Sequence, residues 1–73
     1  MDKVTICSLK YGEVIYKVNE LVDGRGVGQG FRVMKGRRIA KGGSFLKTKR
    51  AAIMFMLRFV FNEVAQLELG GLS

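Results

Sequence analysis

The residues of this chain that are best suited to binding chemistry are cationic, and they are concentrated between Gly24 and Asn62. That segment holds ten lysines and arginines and no acid, whereas residues 1–23 carry a net charge of −1 and residues 63–73 one of −2. So one-sided a block predicts a polyanionic partner such as nucleic acid, and a merely solvated basic surface is the alternative interpretation. The candidate binding residues are Arg25, Arg32, Lys35, Arg37, Arg38, Lys41, Lys47, Lys49 and Arg50.

Groups for acid–base or nucleophilic catalysis are scarce in the sequence. The chain has no histidine, its six acids are scattered, and its one cysteine, Cys7, lies in a segment that reads as a buried strand. Residues 42–48 are similar to a phosphate-binding loop but lack the glycine that directly precedes Lys-Thr in such loops. We therefore predict a binding module and not an enzyme, with no catalytic residue, no cofactor and no metal site.

The size and apolar content of the chain predict one small folded domain that spans residues 1–73. A lone cysteine excludes an intramolecular disulfide and suits a reducing cytoplasm. The longest apolar run, Ala51–Leu57, is far shorter than the roughly 20 residues of a membrane span. We expect a cytoplasmic monomer that does not bind membranes.

The residue pattern predicts two β-hairpins followed by a C-terminal helix. Glycines at every second position from Gly24 to Gly30 predict a mobile loop between the hairpins, and Gly42–Ser44 is predicted to release the chain from the sheet. The predicted fold class is α+β, a small antiparallel sheet of two hairpins packed against one C-terminal α-helix. The predicted bounds are strands at about residues 3–11, 14–19, 31–35 and 38–41, a glycine-rich loop at 22–30 and a helix at about 49–69.

Strand alternation gives each predicted strand an inner and an outer face. In the first strand, Val4 and Ile6 are predicted to share one face, whereas Thr5, Cys7 and Leu9 share the other. In the later strands, the inward residues are predicted to be Val14, Tyr16, Val18, Phe31 and Val33, with Arg32 facing outward.

The predicted helix breaks two local rules. Lys47, Lys49 and Arg50 crowd its N-terminus, where the helix dipole is already positive, and this placement predicts a phosphate-binding site. The helix is also more apolar than packing on a small sheet requires, so Met54 and Phe55 are candidate contacts for a protein partner. Thr48 is the predicted N-cap; the predicted dry face is Ile53, Met56, Leu57, Val60, Val64 and Leu67, and the wet stripe is Arg58, Asn62 and Gln66.

Gly43 and Phe45, followed by Ala51 and Ala52 after a basic hairpin, resemble the sheet-to-helix junction of AP2-type and integrase arm-binding domains. The resemblance covers about residues 31–55, with the family threonine displaced by one position. It implies a three-stranded sheet that lies on DNA while a helix packs behind it. The strand cations that would read bases in the major groove are Arg32, Arg38 and Lys35.

The length and charge of the whole chain resemble those of small lytic-phage regulators that bind host bacterial RNA polymerase. That resemblance implies inhibition of initiation by sigma displacement, together with antitermination, in the host bacterial cytoplasm. It implies binding at the N-terminal region of the β′ subunit and the β flap, alongside the elongation factor NusA. It assigns no interface residue.

The leading functional hypothesis from the sequence is accordingly a non-enzymatic, phage-type transcription regulator that binds bacterial RNA polymerase. The basic block would meet polymerase acids or exiting RNA or DNA. The alternative is a DNA-binding domain that uses the basic hairpin of residues 31–41.

Overall fold

In the computed structural model, which describes residues 2–70, four antiparallel strands form one sheet in chain order, and one helix packs on it. The predicted α+β class is confirmed. Met1 and residues 71–73 of the predicted domain lie outside the described residues. No helix within residues 2–70 has the length and hydropathy needed to cross a bilayer. The elements are β1 (Asp2–Tyr11), β2 (Val14–Val22), β3 (Gly28–Lys35), β4 (Arg38–Ile39) and α1 (Lys49–Leu69).

The core lies between one face of the sheet and α1. Tyr16, Val18 and Val33 are buried on the sheet side, and Ala52, Met56 and Val60 are buried on the helix side. Burial of each large apolar side chain contributes about 1.5–3 kcal/mol, so this small cluster is the main source of stability. The predicted inward positions of β2 and β3 are confirmed, with Val14 and Phe31 half-buried at the edge of the core.

A bulge in β1 changes the predicted alternation. The pairing of β1 with β2 shifts register between Thr5 and Cys7, which leaves Ile6 as an extra residue. Ile6 and Cys7 both pack against the core, so the prediction that they occupy opposite faces is wrong. From Cys7 onward, Leu9 lies on the helix side because it pairs with Tyr16.

The glycine-rich connection is shorter than predicted. β2 continues to Val22 and β3 begins at Gly28, so the predicted loop at 22–30 overlaps both strands. Asp23 closes the turn because its Oδ1 accepts hydrogen bonds from the backbone N–H groups of Arg25 and Val27, at 2.8 and 3.0 Å. Glycine is suited to position 28 because a Cβ there would lie only 2.6 Å from a carboxylate oxygen of Glu20.

The chain after β4 stays beside the sheet, contrary to the prediction that Gly42–Ser44 releases it. β4 ends at Ile39 instead of residue 41 because a turn forms, in which the N–H of Gly43 donates to the carbonyl of Ala40 at 2.8 Å. Residues 43–46 then follow β3: Phe31 and Leu46 exchange two backbone hydrogen bonds of 2.8 Å each. Leu46 consequently packs on the core.

The helix has the predicted bounds, but its buried face is rotated from the predicted one. Ala52, Met56 and Val60 form the buried line, whereas Leu57 and Leu67 are exposed, although they were predicted to be dry. The rotation follows from Phe55 and Phe59, which were not part of the predicted buried face. Their rings stack with centroids 6.1 Å apart, and both side chains pack against the core. Arg58, Asn62 and Gln66 are exposed as predicted.

Candidate nucleic-acid interface

The sheet has a second face, opposite α1, which we call the free face. Pairing of strands places Lys3, Lys10, Lys17 and Arg32 on it, because each lies in register with a residue pointing away from the helix. The two acids of the strands, Asp2 and Glu20, lie at positions on the face that packs against α1. Within the described strands, the free face therefore carries four cations and no carboxylate. Its other strand positions are Thr5, Ser8, Ile15, Asn19, Leu21, Met34 and Ile39.

The centre of the free face is held by a polar cross-strand row formed by Thr5, Asn19 and Arg32. Asn19 is the one buried polar residue among those described, and its Oδ1 accepts a hydrogen bond from the Thr5 hydroxyl at 2.8 Å. The Nε–H of Arg32 donates to the carbonyl of Ser44 at 3.0 Å. This bond uses one donor and directs the guanidinium, whose terminal N–H groups have no hydrogen-bond partner among residues 2–70. Arg32 is thus oriented so that its terminal N–H groups can donate to two acceptor atoms that lie in one plane.

At the end of the sheet where the two hairpin turns lie there is a shallow cleft, which is lined by residues from both faces. The turns are joined because the N–H of Gly36 donates to the carbonyl of Ile15 at 2.8 Å. Val14 and Ile15 form the apolar part of the cleft, and Glu13 is the one acid in its lining. The cations that line it are Lys17, Lys35, Arg37 and Arg38. An anionic group at this end would meet positive charge from both hairpins.

The three base-reading residues implied by the AP2-type resemblance do not share a face. Arg32 lies on the free face, whereas Lys35 and Arg38 pair with each other on the helix side. The ammonium of Lys35 is bound to the carboxylate of Glu63 in α1 at 2.8 Å. Arg32 is therefore the member of this set that the structure leaves available to a ligand on the free face.

The remaining predicted cations are spread over loops and the start of the helix. Arg25 lies in the turn beside Asp23, with 4.0 Å between Nη2 and Oδ2. Thr48 caps α1 as predicted, since its hydroxyl accepts from the N–H of Ala51 at 3.1 Å. The first turn of the helix contains no acid, so the unfavourable charge placement predicted there is present. The exposed cations of this region are Arg37, Arg38, Lys41, Lys47, Lys49, Arg50 and Arg58.

Two polar contacts hold the C-terminal half of α1 to the sheet. The Glu63 carboxylate accepts from Lys35, and this hydrogen bond raises the pKa of the Lys35 ammonium. The Tyr11 hydroxyl donates to Glu68, which raises the pKa of Tyr11. Both acids of the helix are engaged in this way, and the positive surface elsewhere is left without neutralising carboxylates from α1.

Sequence reasoning missed three cations of the free face, Lys3, Lys10 and Lys17. Their segment was judged by its net charge of −1, which combines residues from both faces. The signal was present, because alternation in β2 separates Lys17 from Glu20, but the bulge at Ile6 obscured the equivalent separation in β1. Of the predicted protein contacts, Met54 is exposed, whereas Phe55 is half-buried against the core.

The arrangement offers binding surfaces and no evident reaction centre among residues 2–70. No group of three His, Cys, Asp or Glu side chains in that range is close enough to hold a metal ion. Comparison with protein-family models, curated proteins and solved structures gives no significant match to this chain. The geometry of its own residues is therefore what bears on function.

Proposed function

We propose that this protein is a non-enzymatic transcription regulator that binds duplex DNA through the free face of its sheet. The observation that carries the proposal is the segregation of charge: Lys3, Lys10, Lys17 and Arg32 lie on that face, without a strand acid. Phosphates repeat densely along DNA, so a surface whose charged strand residues are all cations gains from every contact that they make.

The architecture supports the same proposal. α1 packs on one face of the sheet and not on the other, which is the arrangement implied by the resemblance to AP2-type and integrase arm-binding domains. A two- or three-stranded ribbon fits the major groove, where base edges carry a distinct donor and acceptor pattern. In this arrangement Lys10 and Lys17 contact phosphates, and Arg32, fixed by Ser44, is the candidate base reader.

The proposal is tested by the salt dependence of binding to a fluorescein-labelled 20-base-pair duplex, followed by anisotropy. With Arg32 reading a base, the three lysines of the free face make three phosphate contacts, which predict a slope of about −2.7 in log K against log salt, from about −0.9 per contact. In the Lys10→Gln/Lys17→Gln variant we expect the slope to weaken by about 2, because two contacts are lost.

The charge-matched control is Arg50→Gln/Arg58→Gln, which removes two exposed cations of α1, on the other side of the molecule. We expect its slope to equal that of the unaltered protein. Equal weakening in the two variants would show that net charge, and not the free face, governs binding. Absence of binding to duplex DNA below about 50 mM salt would contradict the proposal outright.

A second candidate function is the phage-type regulator that binds bacterial RNA polymerase in the host cytoplasm, inhibiting initiation or promoting antitermination. It is favoured by exposed apolar side chains on α1, which DNA binding does not use. Met54, Leu57 and Phe61 are 47%, 50% and 72% exposed, and such side chains on one helix are typical of a protein contact. In this candidate the basic surface meets polymerase acids or exiting nucleic acid.

The two candidates are separated by a pull-down from bacterial lysate on the immobilised protein, carried out with and without nuclease, in which retained RNA polymerase subunits are detected. Retention that survives nuclease supports direct polymerase binding, and the β′ N-terminal region, the β flap and NusA are then the segments to test singly. Retention that is lost with nuclease means that nucleic acid forms the bridge, as DNA binding by the free face predicts. Failure to retain polymerase at low salt under both conditions would contradict the second candidate.

A further inference from the structure

The solvent-facing side of α1 carries an ordered apolar stripe formed by Met54, Leu57 and Phe61. At 100° per residue these three side chains fall within an arc of about 60°, and they follow one another at spacings of three and four residues. Phe61 is 72% exposed, which is unusual for a phenylalanine in a chain with so small a core. The stripe lies opposite the buried line of the helix, so intramolecular packing does not account for it.

The surface around the stripe is shaped as well as apolar. Met54 lines two shallow depressions, and Arg50 lines both as well. One depression is lined by Lys49, Arg50 and Ile53 together with Met54. The other is lined by Leu46, Ala51 and Phe55 together with Met54, and by the cations Arg50 and Arg58. Apolar and basic side chains line both depressions, and Thr48 also lines the second, a combination that fits side chains of alternating apolar and acidic character.

The charge at the stripe has one sign. From Lys49 to Asn62 the helix contains Lys49, Arg50 and Arg58 and no acid. These three cations form no ion pair within the described residues. A partner with carboxylates beside its apolar residues would meet both features at once.

We propose that this stripe docks an acidic amphipathic helix of a protein partner. The inference goes beyond DNA binding by the free face, and it requires only that the partner present leucine-, methionine- or phenylalanine-type side chains flanked by glutamate or aspartate. The partner's apolar residues fill the depressions beside Met54, and its carboxylates meet Arg50 and Arg58. The contact is the helix-in-groove mode, with anchors at helical spacing.

Two other occupants suit the stripe less well. A second copy would bring a further set of unpaired cations to the contact, while the acids that might offset them, Glu63 and Glu68, are already engaged by Lys35 and Tyr11. An anionic bilayer would accept an apolar and basic stripe, but it gains nothing from the depressions beside Met54. Shape and charge together favour the acidic helix.

The test is selection from a displayed library of 18-residue helices in which the apolar positions are fixed as Leu and each polar position is drawn equally from Glu, Gln and Lys. We expect Glu to be enriched near the fixed leucines, and the selected peptides to lose at least tenfold in affinity for Leu57→Ser/Phe61→Ser. The same peptides should lose affinity for Arg50→Gln/Arg58→Gln and keep it for Lys10→Gln/Lys17→Gln. Leu69→Ser is the matched control, since Leu69 is an exposed leucine of the same helix outside the stripe.

Enrichment of Lys, or no enrichment, would overturn the proposal, as would equal binding to the stripe variant and the Leu69 control. Concentration-dependent sedimentation abolished by Leu57→Ser/Phe61→Ser would assign the stripe to a second copy instead. If the protein binds phosphatidylglycerol vesicles, the same substitutions abolish that binding and the library gives no selected peptide, the stripe would be assigned to a membrane. DNA affinity measured on the stripe variant should be unchanged, so failure here is distinguishable from failure of the DNA-binding proposal.

Discussion

Substitution of Gly43 by alanine tests whether the chain between β4 and α1 is as closely packed as the structure shows. Gly43 is buried at the point where this chain passes between β3 and α1. A Cβ added there would lie 2.8 Å from Cε1 of Phe55, 3.0 Å from Cβ of Val33 and 3.3 Å from the carbonyl oxygen of Ala40. Carbon atoms in contact prefer about 3.5–4.0 Å, so at least two of these neighbours must move.

The expected loss of stability follows from which neighbours can move. The ring of Phe55 is half-buried and can shift, but Val33 is fully buried in the central strand and the Ala40 carbonyl belongs to the backbone. Overpacking of this kind costs about 1–3 kcal/mol, whereas replacing glycine by alanine stabilises through the unfolded chain by about 0.4–1 kcal/mol. We therefore expect Gly43→Ala to lower the free energy of unfolding by about 1–2 kcal/mol.

The assay is equilibrium unfolding in urea, followed by far-ultraviolet circular dichroism. With an m-value of about 1 kcal/mol per molar urea, the midpoint should fall by about 1–2 M. The control is Gly24→Ala, because a Cβ on Gly24 meets nothing within 4 Å and its midpoint should be equal or slightly higher. A second substitution, Phe55→Leu, should restore part of the loss. If Gly43→Ala unfolds at the same urea concentration as Gly24→Ala, the close packing described here is wrong.

Two further outcomes concern α1. Thr48→Ala should lower the free energy of unfolding by about 0.5–2 kcal/mol, because the hydrogen bond that caps the N–H of Ala51 is lost. Thr48→Ser keeps a hydroxyl at this position and should retain most of the stability. Thermal unfolding of the two variants checks this. The contacts of Lys35 with Glu63 and of Tyr11 with Glu68 raise the pKa values of Lys35 and Tyr11 in the folded protein, so folding favours the protonated forms. These contacts therefore stabilise the fold fully below about pH 10, the pKa of both groups in the unfolded chain. Their contribution is lost as the pH rises through the raised pKa values. The melting temperature should therefore fall above about pH 10, less steeply in Tyr11→Phe, and an equal fall in this variant would show that the tyrosine contact contributes nothing.

Much of the fold could be predicted because the local signals agree with one another. Strand-forming residues, hairpin turns, the Thr48 cap and a long apolar segment all indicate the same elements, and the helix bounds of about 49–69 match Lys49–Leu69. The errors occur where tertiary contacts override local pattern. Residues 43–46 look like a connector in sequence, yet they pair with β3, because Gly43 allows close approach to Val33.

The rotation of α1 could not be predicted from its own sequence. Ten of the eleven residues from Ala51 to Phe61 are apolar, so apolar periodicity identifies no single buried face. What selects the face is the sheet: Tyr16 meets Phe59 edge-on at 6.2 Å, and Phe55 covers Gly43. Once these aromatic contacts are made, Met54, Leu57 and Phe61 have no sheet to cover and face solvent.

The positive charge of the candidate surface could be predicted from the sequence, but not the face on which its residues meet. A linear count finds the cationic block and predicts a polyanion, yet the functional unit proposed here is a face, which combines Arg32 from the block with Lys10 and Lys17 from outside it. A net charge counted along the chain averages the two faces of a strand, and only pairing of strands separates them. The same pairing removes Lys35 from the site, since its register brings it beneath Glu63 of the helix.

The two proposed surfaces belong to different elements, and this separation has a consequence for function. Lys10 and Lys17 lie on the sheet, whereas Arg50 and Arg58 border the stripe on the opposite side of the molecule, so the two proposals together predict that DNA and a protein helix bind at the same time. If the two surfaces are independent, their binding free energies add, and the selected acidic peptides should bind the protein equally well with and without duplex DNA. An increase or decrease in peptide affinity of fivefold or more on saturation with duplex would instead correspond to a coupling free energy of about 1 kcal/mol. Such coupling would require contact between the two ligands or a change in α1. The coupling free energy should then be measured in Arg50→Gln/Arg58→Gln, in Lys10→Gln/Lys17→Gln and in the variant that combines the four substitutions. The substitutions that abolish the coupling would show which surface transmits it.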